Sequence, residues 1–234
     1  TISNLLKKTV SKFPKRDAFI FQDHKLNYKE FDNMVDKLAI GFIKIGLKKG
    51  DRLGIWSPNR LEWVLTQFAT ARIGVILVNI NPAYRLSELE YSLKKVGCKA
   101  LILAKNFKSS EYLKMILSLA PELKTSKKGK LQTKNLPQLN HVVLIDEVDE
   151  TYSGIWMFKE IFNLGGDEEK QKLIEIDKTL KPDDAINIQF TSGTTGQPKG
   201  ATLSHYNIVN NGSFVTGRIK LTEKDRLALP VPLY

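Results

Sequence analysis

Ten consecutive residues hold most of the chemistry this sequence offers: Thr191-Ser192-Gly193-Thr194-Thr195-Gly196-Gln197-Pro198-Lys199-Gly200. Glycines let successive backbone N–H groups turn into one concavity, hydroxyls swing donors onto oxygen, and a lysine adds a point positive charge. Together they suit a polyphosphate. An apolar strand over 185–190 leads into the loop, and Ser204 follows as the N-cap of a helix through Tyr206, Ile208 and Val209. A flexible polar linker shares this composition, but such linkers seldom stand between an apolar strand and a capped helix. The loop also departs from the common P-loop. That motif needs four residues between its first glycine and Gly-Lys-Ser/Thr, with a helix starting at once; here Gln197-Pro198 separate Gly196 from Lys199, and Pro198 blocks that start. A kinase or GTPase built on the P-loop is therefore disfavoured.

The elements that must position this loop follow from periodicity. Residues 2–13 predict a helix with Leu5, Leu6, Val10 and Phe13 on one side, stopped by Pro14. Strands over 18–21 and 25–28 flank Asp23-His24 as a hairpin. Phe31, Val35, Leu38, Phe42 and Ile45 mark a helix ended by Gly46. Next come a strand over 52–56, a helix capped by Asn59, a strand over 75–79, a helix opened by the capping box 87–90 and closed by Gly97, and a strand over 99–103. Strands separated by helices cannot be tight hairpins, so they lie parallel with helices on the sheet, an α/β fold. A helix over 110–119 and a strand over 142–145 continue the pattern. The stretch 124–140 reads as a surface insertion in one continuous domain rather than a linker, while 146–153 and 165–169 read as acidic, turn-rich connections.

Composition bounds the alternatives. At 234 residues and 42% hydrophobic the chain can build a sizeable core without disulfides or structural metal. Its one cysteine, Cys98, enters an apolar strand as a small buried filler, and a lone thiol points to a reducing compartment. No stretch approaches the ~18 uninterrupted apolar residues of a membrane-spanning helix. The net charge is +11, from 36 Lys+Arg against 25 Asp+Glu. A polyanionic partner is one reading of that excess. The lysines at 124, 127, 128, 130 and 134 have no interleaved aromatics for base stacking, however, so a solvated loop accounts for them and no nucleic acid is expected. His24, His141 and His205 fall in separate elements and form no metal constellation. Structural roles are favoured for all three, and His205 alone stands near the loop. Asp183-Asp184 reads as a solvated turn, and Trp56, Trp63 and Trp156 as core. The chain starts at Thr1 without methionine and stops at Tyr234, and both ends read as cut.

The loop resembles the signature of the adenylate-forming (AMP-binding) acyl-CoA synthetases. Leu26-Asn27-Tyr28-Lys29-Glu30-Phe31 and Ala71-Arg72-Ile73-Gly74-Val75-Ile76-Leu77-Val78-Asn79-Ile80-Asn81-Pro82 resemble the family's first two core motifs, and 89–101, 186–190 and 204–211 are similar to its mitochondrial medium-chain ligases. The resemblance covers nearly the whole chain. It implies that residues 1–234 are a partial N-terminal AMP-binding domain, the first part of the family's large domain with a parallel-rich sheet flanked by helices. It implies ATP-dependent activation of a fatty acid, medium-chain by similarity, to acyl-adenylate and then acyl-CoA, with AMP and pyrophosphate released. Thr191, Ser192, Gly193, Thr194, Thr195, Gly196, Gln197, Pro198 and Lys199 are then the ATP-binding residues. Fatty acid, ATP with Mg²⁺, and coenzyme A are the small-molecule partners, with no metal held by the protein itself. The mitochondrial matrix is the implied location. The catalytic residues, the rest of the large domain and a small C-terminal domain are expected beyond Tyr234, so the isolated fragment is expected to be inactive. A basic polyanion-binding module and a noncatalytic truncated partner remain the alternatives.

Overall fold

Strand and helix signals alternate into a seven-stranded sheet in the computed structural model, which describes residues 1–148, 152–191 and 198–234. The first helix, α1 (Ile2–Lys12), starts where the Thr1 side chain accepts the Asn4 N–H at 3.2 Å. Its buried stripe follows i, i+4 spacing through Ile2 and Leu6, which leaves Leu5, expected on the packed side, 52% exposed. A short antiparallel pair, β1 (Asp17–Phe21) and β2 (His24–Asn27), turns at Gln22-Asp23, with Gln22 at φ 52°. Helix α2 (Tyr28–Lys44) opens on a reciprocal cap: Glu30 N–H donates to Asn27 Oδ1, and Asn27 N–H to Glu30 Oε2, each at 2.9 Å.

The parallel core then forms as the alternation requires. Strand β3 (Arg52–Trp56), α3 (Leu61–Arg72), β4 (Ile76–Asn79), α4 (Leu86–Val96) and β5 (Ala100–Leu103) place β3 between β4 and β5, both parallel to it. Two caps differ from expectation. Asn59 does not cap α3; it holds the chain's last residues instead, donating to Val231 O at 2.7 Å and accepting from Leu233 N–H at 2.8 Å. In α4 the reciprocal acceptor is Glu88, bonded to Arg85 N–H at 3.0 Å, because the helix begins earlier than a cap at Ser87 would allow. Gly97 ends α4 at φ 62°, as its position predicts.

After α5 (Tyr112–Leu119) a 3₁₀ turn at Pro121–Lys124 leads into the lysine-bearing stretch, which Leu131, Leu136 and Leu139 anchor in the core, so it belongs to the same domain. Strand β6 (His141–Leu144), β7 (Ile155–Met157), α6 (Phe158–Ile161) and α7 (Asp167–Thr179) follow. The segment read as an acidic connection at 165–169 is the start of α7. Carboxylates stabilise a helix's positive N-terminal end, and Glu169 Oε2 accepts the Gly166 N–H at 2.9 Å. Strand β8 (Ala185–Thr191) joins β4 in parallel; β9 (Lys199–Ser204) joins β8 antiparallel, and α8 (His205–Arg218) opens on Ser204.

The order β7-β6-β5-β3-β4-β8-β9 is parallel from β7 through β8. Alternate residues serve two cores. Leu53, Ile55, Leu77, Ala100 and Ile102 meet α2, α3, α6 and α7 on one face, and Trp56, Val78, Leu101, Leu103 and Val142 meet α4 and α5 on the other. Arg72, 1% exposed, ties α3 to α2 through ion pairs with Asp32 (2.6 Å) and Asp36.

Candidate functional site at the carboxyl edge of the sheet

In a parallel sheet, ligands are held in the crevice outside the strands' carboxyl ends, where side chains from several strands converge. Here the strand order reverses at β3, and β8 runs parallel to β4, so the segment leaving β8 emerges at that edge. Register fixes it there: Leu77 stands opposite Asn187, Val78 opposite Ile188 and Asn79 opposite Gln189.

Side chains enforce that register. Ile188 and Phe190 enter the α4/α5 core. On the other face amides replace leucines: Asn79 Nδ2 donates to Gln189 Oε1 at 2.8 Å, and Asn187 Nδ2 reaches Leu77 O at 3.4 Å and Asn79 Oδ1 at 3.5 Å. Asn79 and Asn187 are buried, where an unpaired amide is costly, so the ladder favours a single alignment of β4 on β8.

The candidate phosphate loop is a hairpin tip. Thr191 ends β8 and stands opposite Lys199, which begins β9, and the Thr191 hydroxyl donates to Lys199 O at 3.4 Å. Both side chains face solvent. Pro198 precedes Lys199, and its carbonyl accepts from the Tyr91 hydroxyl at 3.1 Å. Ser192, Gly193, Thr194, Thr195, Gly196 and Gln197 lie outside the described residues. The expectation that the loop passes to a capped helix needs a correction: a six-residue antiparallel strand, β9, intervenes before Ser204 caps α8. Its Lys-Gly-Ala-Thr start hides the strand, because β9 is an exposed edge with little apolar alternation.

Beside the tip, the segment after β4 is held by two aromatics that sequence reading assigned to packing or left unassigned. Trp56 stacks on Tyr112, ring centroids 3.6 Å apart; its indole N–H donates to Asn81 O at 3.2 Å, and the Tyr112 hydroxyl donates to Pro82 O. Burial pushes the Tyr112 phenol well above its ordinary pKa, which keeps it a donor.

The remaining candidates have structural places. His205 is fully buried, and its Nδ1 accepts the Ile2 N–H at 3.2 Å, capping α1 rather than facing the loop. Burial pushes its pKa down to about 4, and does the same to His141, which opens β6. Cys98 is buried, its thiol raised by burial to about 12, as an inert filler requires. Asp184 pairs with Lys49 at 2.6 Å in the turn before β8. Trp56 and Trp63 are core, and Trp156 is half-buried. Among the described residues no three His, Cys, Asp or Glu side chains could share a metal ion, and no helix is long and apolar enough to cross a membrane.

Known proteins share this fold and sequence. The N-terminal domain of FACL13 from Mycobacterium tuberculosis superposes with a TM-score of 0.74 at 20% identity, covering 99% of this chain and 51% of that one. The apo structure of MbtA from Mycobacterium smegmatis superposes at 0.75 and 22% identity, over 94% of this chain and 37% of that one. At such identities the likeness shows the fold alone. In sequence, the mitochondrial medium-chain acyl-CoA ligase ACSF2 of Danio rerio is 46% identical and that of Homo sapiens 45% identical, each across 100% of this chain. The chain spans 39% of the length of either relative. A family model described as AMP-binding enzyme matches residues 6–234, and the chain belongs to that family.

Proposed function

We propose that the protein containing this chain activates a fatty acid at the expense of ATP, and that residues 1–234 are the first part of its large domain. In this reading a carboxylate oxygen attacks the α-phosphorus of ATP, the bond to pyrophosphate breaks, and an acyl-adenylate forms; the thiol of coenzyme A then takes the acyl group and AMP leaves. The observation that carries the reading is the hydroxyl- and glycine-rich tip opened by Thr191 and closed by Lys199 at the carboxyl edge of the sheet. An anion attacking a polyanion needs its charges neutralised and held in line. Thr191, Ser192, Thr194, Thr195 and the N–H groups around Gly193 and Gly196 take the β and γ phosphates, Gln197 and Pro198 shape the return, and Lys199 brings its charge to the same oxygens. Mg²⁺ arrives with the nucleotide.

The medium-chain preference and a mitochondrial location are supported by relatives that carry both in their names. Because the chain covers 39% of those relatives, the isolated segment is expected to form no acyl-CoA. The test is a Thr194→Ala/Thr195→Ala variant of the full-length protein. ATP-dependent acyl-CoA synthesis from a medium-chain acid should weaken with the melting temperature unchanged; unaltered ATP kinetics would remove the cradle assignment.

A further inference from the structure

Only one side chain from outside the hairpin is seen to hold the outgoing limb of the loop among the described residues. Tyr91 stands in the middle of α4 and donates its hydroxyl proton to the Pro198 carbonyl at 3.1 Å, across 107 positions of sequence. Proline has no N–H, so this carbonyl is the only backbone hydrogen-bonding group that Pro198 offers. Gly200, two residues on, lies beside the same helix and the neighbouring strand. A Cβ on Gly200 would come to 3.0 Å from Ile188 Cγ2, a tight approach, and to 3.8 Å from Val96 Cγ1, an ordinary contact, so Gly200 lies close on β8 and in reach of the end of α4. The limb is thus clamped at Pro198 from α4 and at Lys199 from Thr191.

We infer that Tyr91 is a positioning residue for the loop: through Pro198 it sets the height at which the backbone delivers Lys199 to the carboxyl edge of the sheet. The inference rests on the reading of the loop as a cradle for the phosphates of ATP. Tyr91 acts on the limb and not on substrate, so its loss acts first on nucleotide binding. Removing the hydroxyl frees the limb to sample positions in which Lys199 is misplaced, and the nucleotide must then recover that ordering.

The test is Tyr91→Phe in the full-length protein, a change that keeps the ring and deletes one oxygen. The KM for MgATP should rise about fivefold, the equivalent of about 1 kcal/mol for one net hydrogen bond. The kcat should fall less than about twofold, the KM values for the fatty acid and coenzyme A should stay in place, and the melting temperature should hold. Amide hydrogen exchange at 199–201 without substrate should be faster than in the wild type. An unchanged MgATP KM, or KM values for all three substrates rising together as the melting temperature falls, overturns the inference; so does unchanged exchange. A wild-type protein with no ATP turnover removes the reading of the loop itself, whereas turnover with an unaltered Tyr91→Phe profile removes only the latch.

Discussion

Replacing Asn79 by leucine tests how the sheet aims its loop. Asn79 is 6% exposed, donates to Gln189 at 2.8 Å and lies 3.5 Å from the Asn187 amide. Asn79→Leu removes one good hydrogen bond, a net loss of about 1 kcal/mol, and strands the Gln189 carbonyl at a further cost of about 1–3 kcal/mol. Gln189 is half-buried and can recruit water, and Asn187 keeps its contact with Leu77 O, so the total should sit near the low end, about 2 kcal/mol. Gln189→Met should cost about as much, because the stranded donor is then the more deeply buried Asn79 amide. Removing both partners together leaves neither orphaned. The double variant should therefore lose only the bond, about 1 kcal/mol, rather than the roughly 4 of two independent losses, a coupling of about 3 kcal/mol. Urea unfolding of the four proteins, followed by tryptophan fluorescence, measures it. Additive losses, with coupling under about 0.3 kcal/mol, would show that the amides do not act on each other and refute the account of the register.

Other outcomes follow from buried charge and close packing. His141 and His205 bind a proton more readily unfolded, near 6.5, than folded, near 4, so stability is fully present above about pH 6.5 and drains as pH falls toward 4. Each should cost about 2 kcal/mol at pH 5, and His205→Gln should flatten that part of the stability–pH curve; an equally steep curve in the variant excludes His205 as a source. Asp32→Ala with Asp36→Ala leaves the Arg72 guanidinium buried without its carboxylates, and thermal unfolding should register a loss of about 3 kcal/mol. Gly97→Ala should destabilise by about 1 kcal/mol or more, because φ is 62° and the new Cβ, 1.8 Å from Gln138 Oε1, would also displace it; an unchanged denaturation midpoint would contradict the backbone strain expected there.

Much of the architecture could be read from residue order because its signals are local. Ser204 at the start of α8, the apolar spacing from Phe31 to Phe42 and Gly97 at a helix end each act within one or two turns. Where reading failed, the deciding contact was distant or the local signal pointed elsewhere. Asn59 has a capping side chain but spends it on Val231 and Leu233. The acidic run at 167–169 has the composition of a loop and the physics of a helix N-terminus. Strand β7 is three residues long and stands at the sheet's edge, too short to show a period.

The site divides in the same way. Its candidate loop stands out in the sequence because hydroxyl, glycine and lysine crowd into ten residues. The contacts of Tyr91, Asn79 and Tyr112 do not, since each acts on a backbone or amide between 30 and 110 positions away, which residue order alone does not bring together. Their partners became visible only once β8 was laid beside β4.

The most direct test of the central claim is pyrophosphate exchange by the full-length protein, because exchange isolates adenylate formation from thioester formation. Octanoate-dependent incorporation of labelled pyrophosphate into ATP should occur without coenzyme A and should fall at least tenfold in Lys199→Ala, with the melting temperature retained. No carboxylate-dependent exchange in the wild type, or exchange in Lys199→Ala equal to the wild type, would contradict the assignment of this loop to the phosphates of ATP.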